Sequence, residues 1–413
     1  MKSKTLVLLT KQFPFLNREQ YVAHELEFLA KEFEKIYIYP HDHFRKDDQI
    51  TFELPPNVEV INLNLQIPPI RNKFALLMSY LRAFVFELCR VHDRMWFVKN
   101  AKRFFSIYTT QYALGIGLMN FLAKKKLNQK EVVFYSYWFS ASALCLSILK
   151  SRGEIDRYVS RAHALDLYHE DWGLLNERVG VLPFRNFKQK FVDVLYSISE
   201  HGKKYLEKKY PDIQSVKVAY LGVKDFGLNP GERSEEFVIV TCSGVDDNKR
   251  IHLLGNALSR IQQKVLWIHF GDGPLKDLAL QSVTSSNVKF DYRGQTPNKE
   301  VREFYASNHV DLFVNLSKVE GLPVTIMEVL SHGIPVLATA ANGTPEAVVD
   351  GETGTLLPIE FTDEQLLQAL DYWIANTSIN MTRSKCRKWF ETRFDASKNY
   401  EIFADKLSFH ACS

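Results

Sequence analysis

The stretch from Asp311 to Glu346, DLFVNLSKVEGLPVTIMEVLSHGIPVLATAANGTPE, constrains the fold more than any other. DLFVNLS is a short apolar run of the kind that forms a parallel strand covered on both faces. A turn follows at Glu320-Gly321, and Pro323 suits the first position of a helix. That helix is expected to run to about His332, with Gly333 as its cap. IPVLAT then reads as the next strand. The result is a βαβ unit whose helix starts at the carboxyl end of the first strand, where open α/β sheets bind ligands. The free N–H groups of Gly321, Leu322 and Val324 would make an anion site there.

Two carboxylates mark this unit. Glu320 lies on the turn. Glu328 lies in a helix whose other residues, among them Val324, Ile326, Met327, Val329 and Leu330, are apolar. A helix that apolar is buried, and a buried carboxylate needs partners. A polyhydroxyl ligand would supply paired donors. An ion pair to a neighbouring Lys or Arg would serve equally well, and spacing does not choose between them.

Composition bounds the rest. At 413 residues the chain is long enough for two domains. Its five cysteines, at 89, 145, 242, 386 and 412, form no CxxC pair. That argues for a reducing compartment, and against a disulfide framework or a zinc site. Thr5 to Thr10 is too short for the apolar core of a signal peptide and reads as a first strand. Phe104 to Ala123 and Val132 to Leu149 carry no charge. Polar residues in the first, and a strand-plus-helix pattern in the second, argue against membrane spans. Residues 1–225 hold 34 Lys+Arg and 24 Asp+Glu, a balance of +10; the whole chain is +4, so the remainder is −6. The basic half is rich in aromatics between Arg71 and Lys126, which suits an anionic membrane surface or an ordinary solvated face. No nucleic-acid motif accompanies the charge.

Along the chain, KTLVLLT, EKIYIYP, VVFYSYWF, RYVSRAH, FVDVLYS and VKVAYLGV read as strands alternating with helices. Residues 71–130 read as helical, and Ser199 as a helix N-cap. RYVSRAH leads into a loop carrying His163 and Asp166. KDFGLNPGERSEE reads as a linker. FVIVTCSGV, KVLWIHFGDGPL and NVKFDYRGQ continue the rhythm as strands, and helices are expected over 363–375 and 380–409. The expected domains are 1–224, a linker at 225–235, a second domain over 236–390, and a terminal segment, 391–413, that returns to the first.

Glu320 and Glu328 form E-x7-E within EGLPVTIMEVLSHGIPVLAT, followed by NGTPE with Thr344 and Glu346. This long, ordered match resembles the donor-site signature of retaining GT-B glycosyltransferases of family 4, of the bacterial surface-polysaccharide type. The resemblance extends more weakly over nearly the whole chain. It implies an α/β GT-B fold, two Rossmann-like domains with parallel sheets facing across a cleft. It implies that Glu320 faces the transferred sugar and Glu328 holds the ribose. SRAHALD resembles a segment that places His163 near the transferring sugar, with Asp166 close by and Ala164 where a glycine is usual. Lys249 matches a lysine that neutralises the donor diphosphate. FGDGPL, with Gly271 and Gly273, and YRGQ, with Arg293 and Gly294, match two loops around the base. Gly321, Leu322 and Pro323 would complete the donor site.

Besides Ala164, this sequence departs from the family at two places. The arginine usual five residues before the lysine is Gly244, and Leu16-Asn17-Arg18-Glu19 replaces a glycine-rich first loop. Arg18 or Arg250 would then supply the missing charge.

Absences narrow the chemistry. There is no D-x-D, no P-loop and no metal-ligand cluster, so no cofactor or metal is expected. The expected function is metal-independent transfer, with retention, from a UDP- or GDP-sugar to a lipid-linked saccharide or polysaccharide. The expected location is cytoplasmic, on the inner face of a membrane. A soluble acceptor, a GT-B epimerase and a non-catalytic nucleotide-sugar binder are the alternatives.

Overall fold

The computed structural model describes residues 5–16, 19–42, 48–61, 69–91, 93–168, 184–230, 235–375 and 379–409. The chain forms two compact units, Met1–Ala219 with Tyr400–Ser413, and Tyr220–Asn399. The division falls ahead of the expected 224 and the return after the expected 391. Residues of the expected linker pack into the second unit: Asn229 is buried there, with its side-chain amide donating to the carbonyls of Tyr305 and Asn308.

In the first unit the strands are β1 (Thr5–Thr10), β2 (Lys35–Pro40), β3 (Val58–Val60), β4 (Val132–Ser136), β5 (Val159–Ala162), β6 (Val194–Ser197) and β7 (Val216–Val218). They pair in parallel in the order β3-β2-β1-β4-β5-β6-β7. Every residue of β1 and β4 is buried, as their apolar runs require of strands covered on both faces. The helices are α1 (Gln20–Glu32), α2 (Lys73–Leu88), α3 (Arg94–Lys99), α4 (Ala101–Lys124), α5 (Ala141–Ser151), α6 (Ala164–Tyr168), α7 (Arg185–Phe191) and α8 (Glu200–Lys209). Ser199 caps α8, accepting from the Gly202 N–H at 3.0 Å. Glu87, buried on α2, caps α7 from outside, accepting from the N–H groups of Asn186 and Phe187. An aromatic cluster around Phe97, Phe104, Tyr108 and Phe184 cements α2, α3 and α4. Among the described residues no helix is long and apolar enough to cross a membrane.

The second unit holds β8 (Phe237–Cys242), β9 (Val265–Phe270), β10 (Val288–Gly294), β11 (Leu312–Asn315), β12 (Val336–Thr339) and β13 (Gly354–Leu357). They too are parallel, in the order β10-β9-β8-β11-β12-β13. Both orders reverse beside the unit's first strand, the doubly wound arrangement whose switch point is a ligand crevice. Its helices are α9 (Ile251–Leu258), α10 (Lys276–Gln281), α11 (Asn298–Ser307), α12 (Val324–Ser331), α13 (Thr344–Ala347), α14 (Asp363–Ala375) and α15 (Ile379–Arg393); α16 (Ala396–Phe409) starts in this unit and belongs to the first from Tyr400 on. Trp267, stacked on Phe290 with ring centroids 3.9 Å apart, anchors one face of the sheet.

Three local readings need correction. Pro323 precedes α12 as its N-cap instead of opening it, with extended backbone at ψ 112°. Asp166 lies on the short helix α6 instead of a loop. The helix expected over 380–409 is two helices. Val223 inserts between them: its N–H donates to the Phe394 carbonyl at 2.9 Å and its carbonyl accepts from Ala396 at 3.2 Å. Gly222 permits that approach, since a Cβ there would stand 2.5 Å from the Ala396 Cα.

Candidate functional site

In the second unit the two loops at the switch point, after β8 and after β11, are stitched together. Asp246 folds the first of them, accepting from the N–H groups of Asn248 and Lys249. Asn248 then joins it to the second: its Oδ1 accepts from Val319 N–H at 2.9 Å, its Nδ2 donates to the Val319 carbonyl, and its own carbonyl accepts from Lys318 N–H. This brings the Lys249 Nζ to 2.5 Å from Glu320 Oε1. Asn315 Nδ2 donates to the same Oε1, and Asn342 Oδ1 holds the Glu320 backbone by accepting from its N–H. The N–H groups of Gly321 and Leu322 find no acceptor among the described residues. A cation, a carboxylate and open backbone donors thus converge at the start of α12.

Glu328 sits one turn into α12 and is buried. Asn298 Nδ2 donates to its Oε1 at 2.8 Å. Burial pushes its carboxyl above the usual range, against the pull of Asn298 and then of Arg302. Asn298 and Arg302 are four residues apart on α11, so one helix face supplies both. Among the described residues no ion pair closes on Glu328. Arg302 instead lies over the Phe226 ring at 3.5 Å and donates to the Lys224 carbonyl.

The remaining residues of this half-site are placed as follows. Gly271 and Gly294 join the ends of β9 and β10, the Gly271 N–H donating to the Gly294 carbonyl at 2.8 Å. A side chain at Gly271, where φ is +129°, would come within 1.8 Å of the Ser243 carbonyl. Gly273 follows in the β9 loop, which the Val245–Asp272 backbone bond ties to the β8 loop. Arg293 is exposed, paired with Asp291 at 3.0 Å and lying over Phe304. Thr344 opens α13 with a buried hydroxyl that has no hydrogen-bond partner among the described residues, and Glu346 accepts from Tyr220. A Cβ at Gly244 would meet nothing closer than 3.7 Å, so the position is open. Arg250 cannot fill it. Its backbone is left-handed (φ 51°), and its buried guanidinium donates to the carbonyls of Leu316 at 2.7 Å and Ile359 at 2.8 Å. Arg18 lies outside the described residues.

In the first unit His163 follows β5, stacked on Tyr137 at 4.8 Å and against Trp138 at 4.5 Å. Burial, aided by Arg161, lowers the imidazole to about 3, so it is neutral near pH 7. Its Nε2 is buried and has no hydrogen-bond partner among the described residues. Asp166 does not touch the imidazole. It ties loops instead, accepting from the N–H groups of His163 and Phe139, both at 3.2 Å. Lys188, buried and lowered to about 7 mainly by burial, donates to the Phe139 and Ser140 carbonyls.

Glu19 is the residue the sequence did not single out here. It bridges the switch point of the first unit as the Lys249–Glu320 pair bridges the second. Its carboxylate accepts from the N–H groups of Gln12 at 2.6 Å, Phe13 at 2.7 Å and Lys11 at 3.3 Å, and from the Trp138 indole at 2.5 Å. Lys11, Gln12 and Phe13 after β1 are therefore held by an internal carboxylate, and the same carboxylate bonds the indole that lies against His163. Several charge-assisted bonds, each worth about 1.5–3 kcal/mol, meet at one carboxylate. Glu19→Ala is expected to cost about 2–4 kcal/mol of stability, measured by urea unfolding. Unchanged stability would show that the carboxylate is replaceable by water.

Among the described residues no group of three His, Cys, Asp or Glu could hold a metal ion.

Residues 229–390 match the family model for glycosyl transferases group 1. A sulfoquinovosyl transferase of Arabidopsis thaliana is 28% identical over 146 residues, 32% of this chain and 28% of that protein. A subunit of the human phosphatidylinositol N-acetylglucosaminyltransferase is 30% identical over 144 residues, 33% of this chain and 29% of that one. The match thus spans less than a third of either relative's length. A solved Anabaena protein, HepE in complex with UDP and glucose, superimposes with a TM-score of 0.67 at 18% identity, covering 98% of this chain and 99% of that one. Residues 229–390 are thus similar to the glycosyl transferases of group 1, and the chain's two doubly wound units have the GT-B fold.

Proposed function

We propose that this protein transfers a sugar from a nucleotide-diphospho-sugar, a UDP- or GDP-sugar, to a lipid-linked saccharide or growing polysaccharide. Configuration at the anomeric carbon is retained and no bound metal takes part. The observation that carries the reading is the Lys249–Glu320 pair beside the open N–H groups of Gly321 and Leu322. An anionic diphosphate fits that place. Glu328 offers an acceptor to ribose hydroxyls. In the step itself the bond from the anomeric carbon to the diphosphate oxygen breaks and a bond to the acceptor oxygen forms. The acceptor's proton passes to the leaving phosphate. Negative charge grows on that phosphate, and Lys249 with the α12 amides stabilises it. The neutral His163 presents a buried, unpartnered nitrogen to a sugar hydroxyl.

The relatives support the coarse reading. One is named for transfer to phosphatidylinositol, and one solved neighbour holds UDP and glucose. A membrane-bound acceptor also suits residues 71–126, which carry 11 Lys+Arg against 2 Asp+Glu. The protein would then work in the cytoplasm at the inner face of a membrane.

A thermal-shift panel of nucleotide sugars identifies the donor, because a bound donor raises the melting temperature by mass action. Transfer of that donor's sugar to a lipid-linked saccharide is then followed with EDTA present, and the product anomer is read by NMR. Transfer is expected to continue in EDTA with retention. Loss of activity restored by Mg²⁺ or Mn²⁺ overturns the metal-independent mechanism. Faster transfer to a soluble sugar overturns the lipid-linked acceptor. A stabilising donor that is never turned over marks a non-catalytic binder.

A further inference from the structure

The first unit carries a cavity that the transfer reaction leaves unused. It measures about 760 Å³ and lies between α2, Tyr112 of α4, the residues just after α5 and the end of α7. α5 starts beside the switch point at Ala141 and meets the cavity at Ser151, the last of its 11 residues. At about 1.5 Å per residue the cavity stands roughly 15 Å from the strand ends that position His163. It is therefore separate from the place where an acceptor hydroxyl would react.

Its wall is amphiphilic. Phe74, Met78, Arg82 and Phe86 form one stripe of α2 and face the cavity with Phe187 and Phe191. Leu76, Tyr80 and Ala83 form a second stripe, buried in the core. Leu77, Leu81 and Val85 form a third, and it is exposed, Val85 by 54% and the cavity residue Phe74 by 72%. A helix apolar on every side belongs inside a protein or in contact with lipid. The rim is cationic. Glu154, the one carboxylate in the wall, is already paired with Arg152 at 2.5 Å, and Arg152 lies over the Tyr112 ring. Arg82 and Lys190 have no ion pair among the described residues. An apolar floor under two unneutralised cations is complementary to a molecule with a hydrocarbon chain and an anionic head.

We propose that this cavity takes one anionic phospholipid from a bilayer, with an acyl chain along Phe74, Met78 and Phe86 and its phosphate between Arg82 and Lys190. The lipid's source rests on the membrane residence proposed above; the cavity's chemistry does not. Occupancy would seat the exposed stripe of α2 in the interface and fix the distance of the transfer site from the bilayer surface.

Two measurements on the full chain test this. The first is titration with short-chain phosphatidylglycerol below its micelle concentration, with the phosphatidylcholine of the same chain length and inorganic phosphate as controls. The second is sedimentation with vesicles of phosphatidylcholine alone or mixed with phosphatidylglycerol. Two variants are compared after circular dichroism confirms their fold. Ser79→Trp fills the cavity and keeps its charge, while Arg82→Glu/Lys190→Glu reverses the rim and keeps its volume. The wild type is expected to bind one phosphatidylglycerol saturably, at least about tenfold tighter than phosphatidylcholine, and to ignore phosphate. Both variants are expected to lose that binding about tenfold or more. If the wild type binds short-chain lipid but no vesicle, the cavity stands and membrane residence falls. If vesicles bind in a charge-dependent way and Ser79→Trp changes neither assay, the membrane reading stands and the cavity assignment is overturned. Binding of inorganic phosphate alone would also overturn it, since no hydrocarbon chain would be needed.

Discussion

Lys249→Ala is expected to lower kcat by about 10²–10³-fold while the folded state loses no more than about 1 kcal/mol. The two magnitudes separate because the pair with Glu320 is partly solvated, with 22% and 13% of the two side chains exposed. A pair in that setting contributes little to folding. In the reaction the same ammonium faces charge that grows only as the glycosidic bond breaks, so its removal acts on the transition state. Nothing in the loop takes over. Gly244 leaves the usual arginine position empty, and the buried Arg250 guanidinium is engaged by the Leu316 and Ile359 carbonyls. Steady-state kinetics with the identified donor gives kcat and KM separately. A rise in KM with kcat unchanged would mean that Lys249 only binds. Glu320→Gln should be strongly non-additive with Lys249→Ala, because the two side chains act as one unit. Additive losses would show that the 2.5 Å contact between them is incidental.

What the sequence disclosed follows from the range of the forces involved. The parallel strands were legible because an apolar run covered on both faces has no other soluble solution, and β1 and β4 are buried at every position. Lys249 and Glu320 could be singled out separately, but not as partners. Their pairing depends on Asn248, whose amide bonds the other loop 71 residues away. Asparagine in a polar run carries no signal of such a long-range bond. Glu19 was hidden for the same reason: its acceptor role depends on a left-handed backbone at φ 59° and on an indole 119 residues on. The break between α15 and α16 was invisible because it is imposed by Val223 from outside an otherwise helical stretch. Glu328 was ambiguous between a ligand and an ion pair. The fold supplies Asn298 and a guanidinium held off at the Lys224 carbonyl, a setting in which the carboxylate still has room for an incoming donor.

That setting makes Glu328→Gln the most informative substitution in the second unit. Burial raises the carboxyl above its unfolded value. The native state therefore holds a proton that the unfolded state has released, and stability falls as pH rises from below the unfolded pKa through the folded one. At neutral pH a buried carboxyl with a raised pKa is a net cost to the fold, and Glu328 is retained for what it binds. Glutamine keeps the oxygen that accepts from Asn298 and removes the charge. The variant without ligand is expected to melt higher than the wild type at pH 7, and the gap is expected to shrink as pH is lowered toward the unfolded carboxylate pKa. Donor binding should move the other way, weakening by about 1–3 kcal/mol because a ribose hydroxyl loses a charged acceptor. The wild type's own donor affinity should fall as pH drops through the raised pKa, and the variant's should not. Calorimetric titration across that pH range, beside melting of the free proteins, reads all of these. A variant that melts lower and binds donor normally would make Glu328 a structural carboxylate serving α11 and α12. A variant that melts higher and binds donor normally would leave the buried charge without a purpose at this site and move the ribose elsewhere.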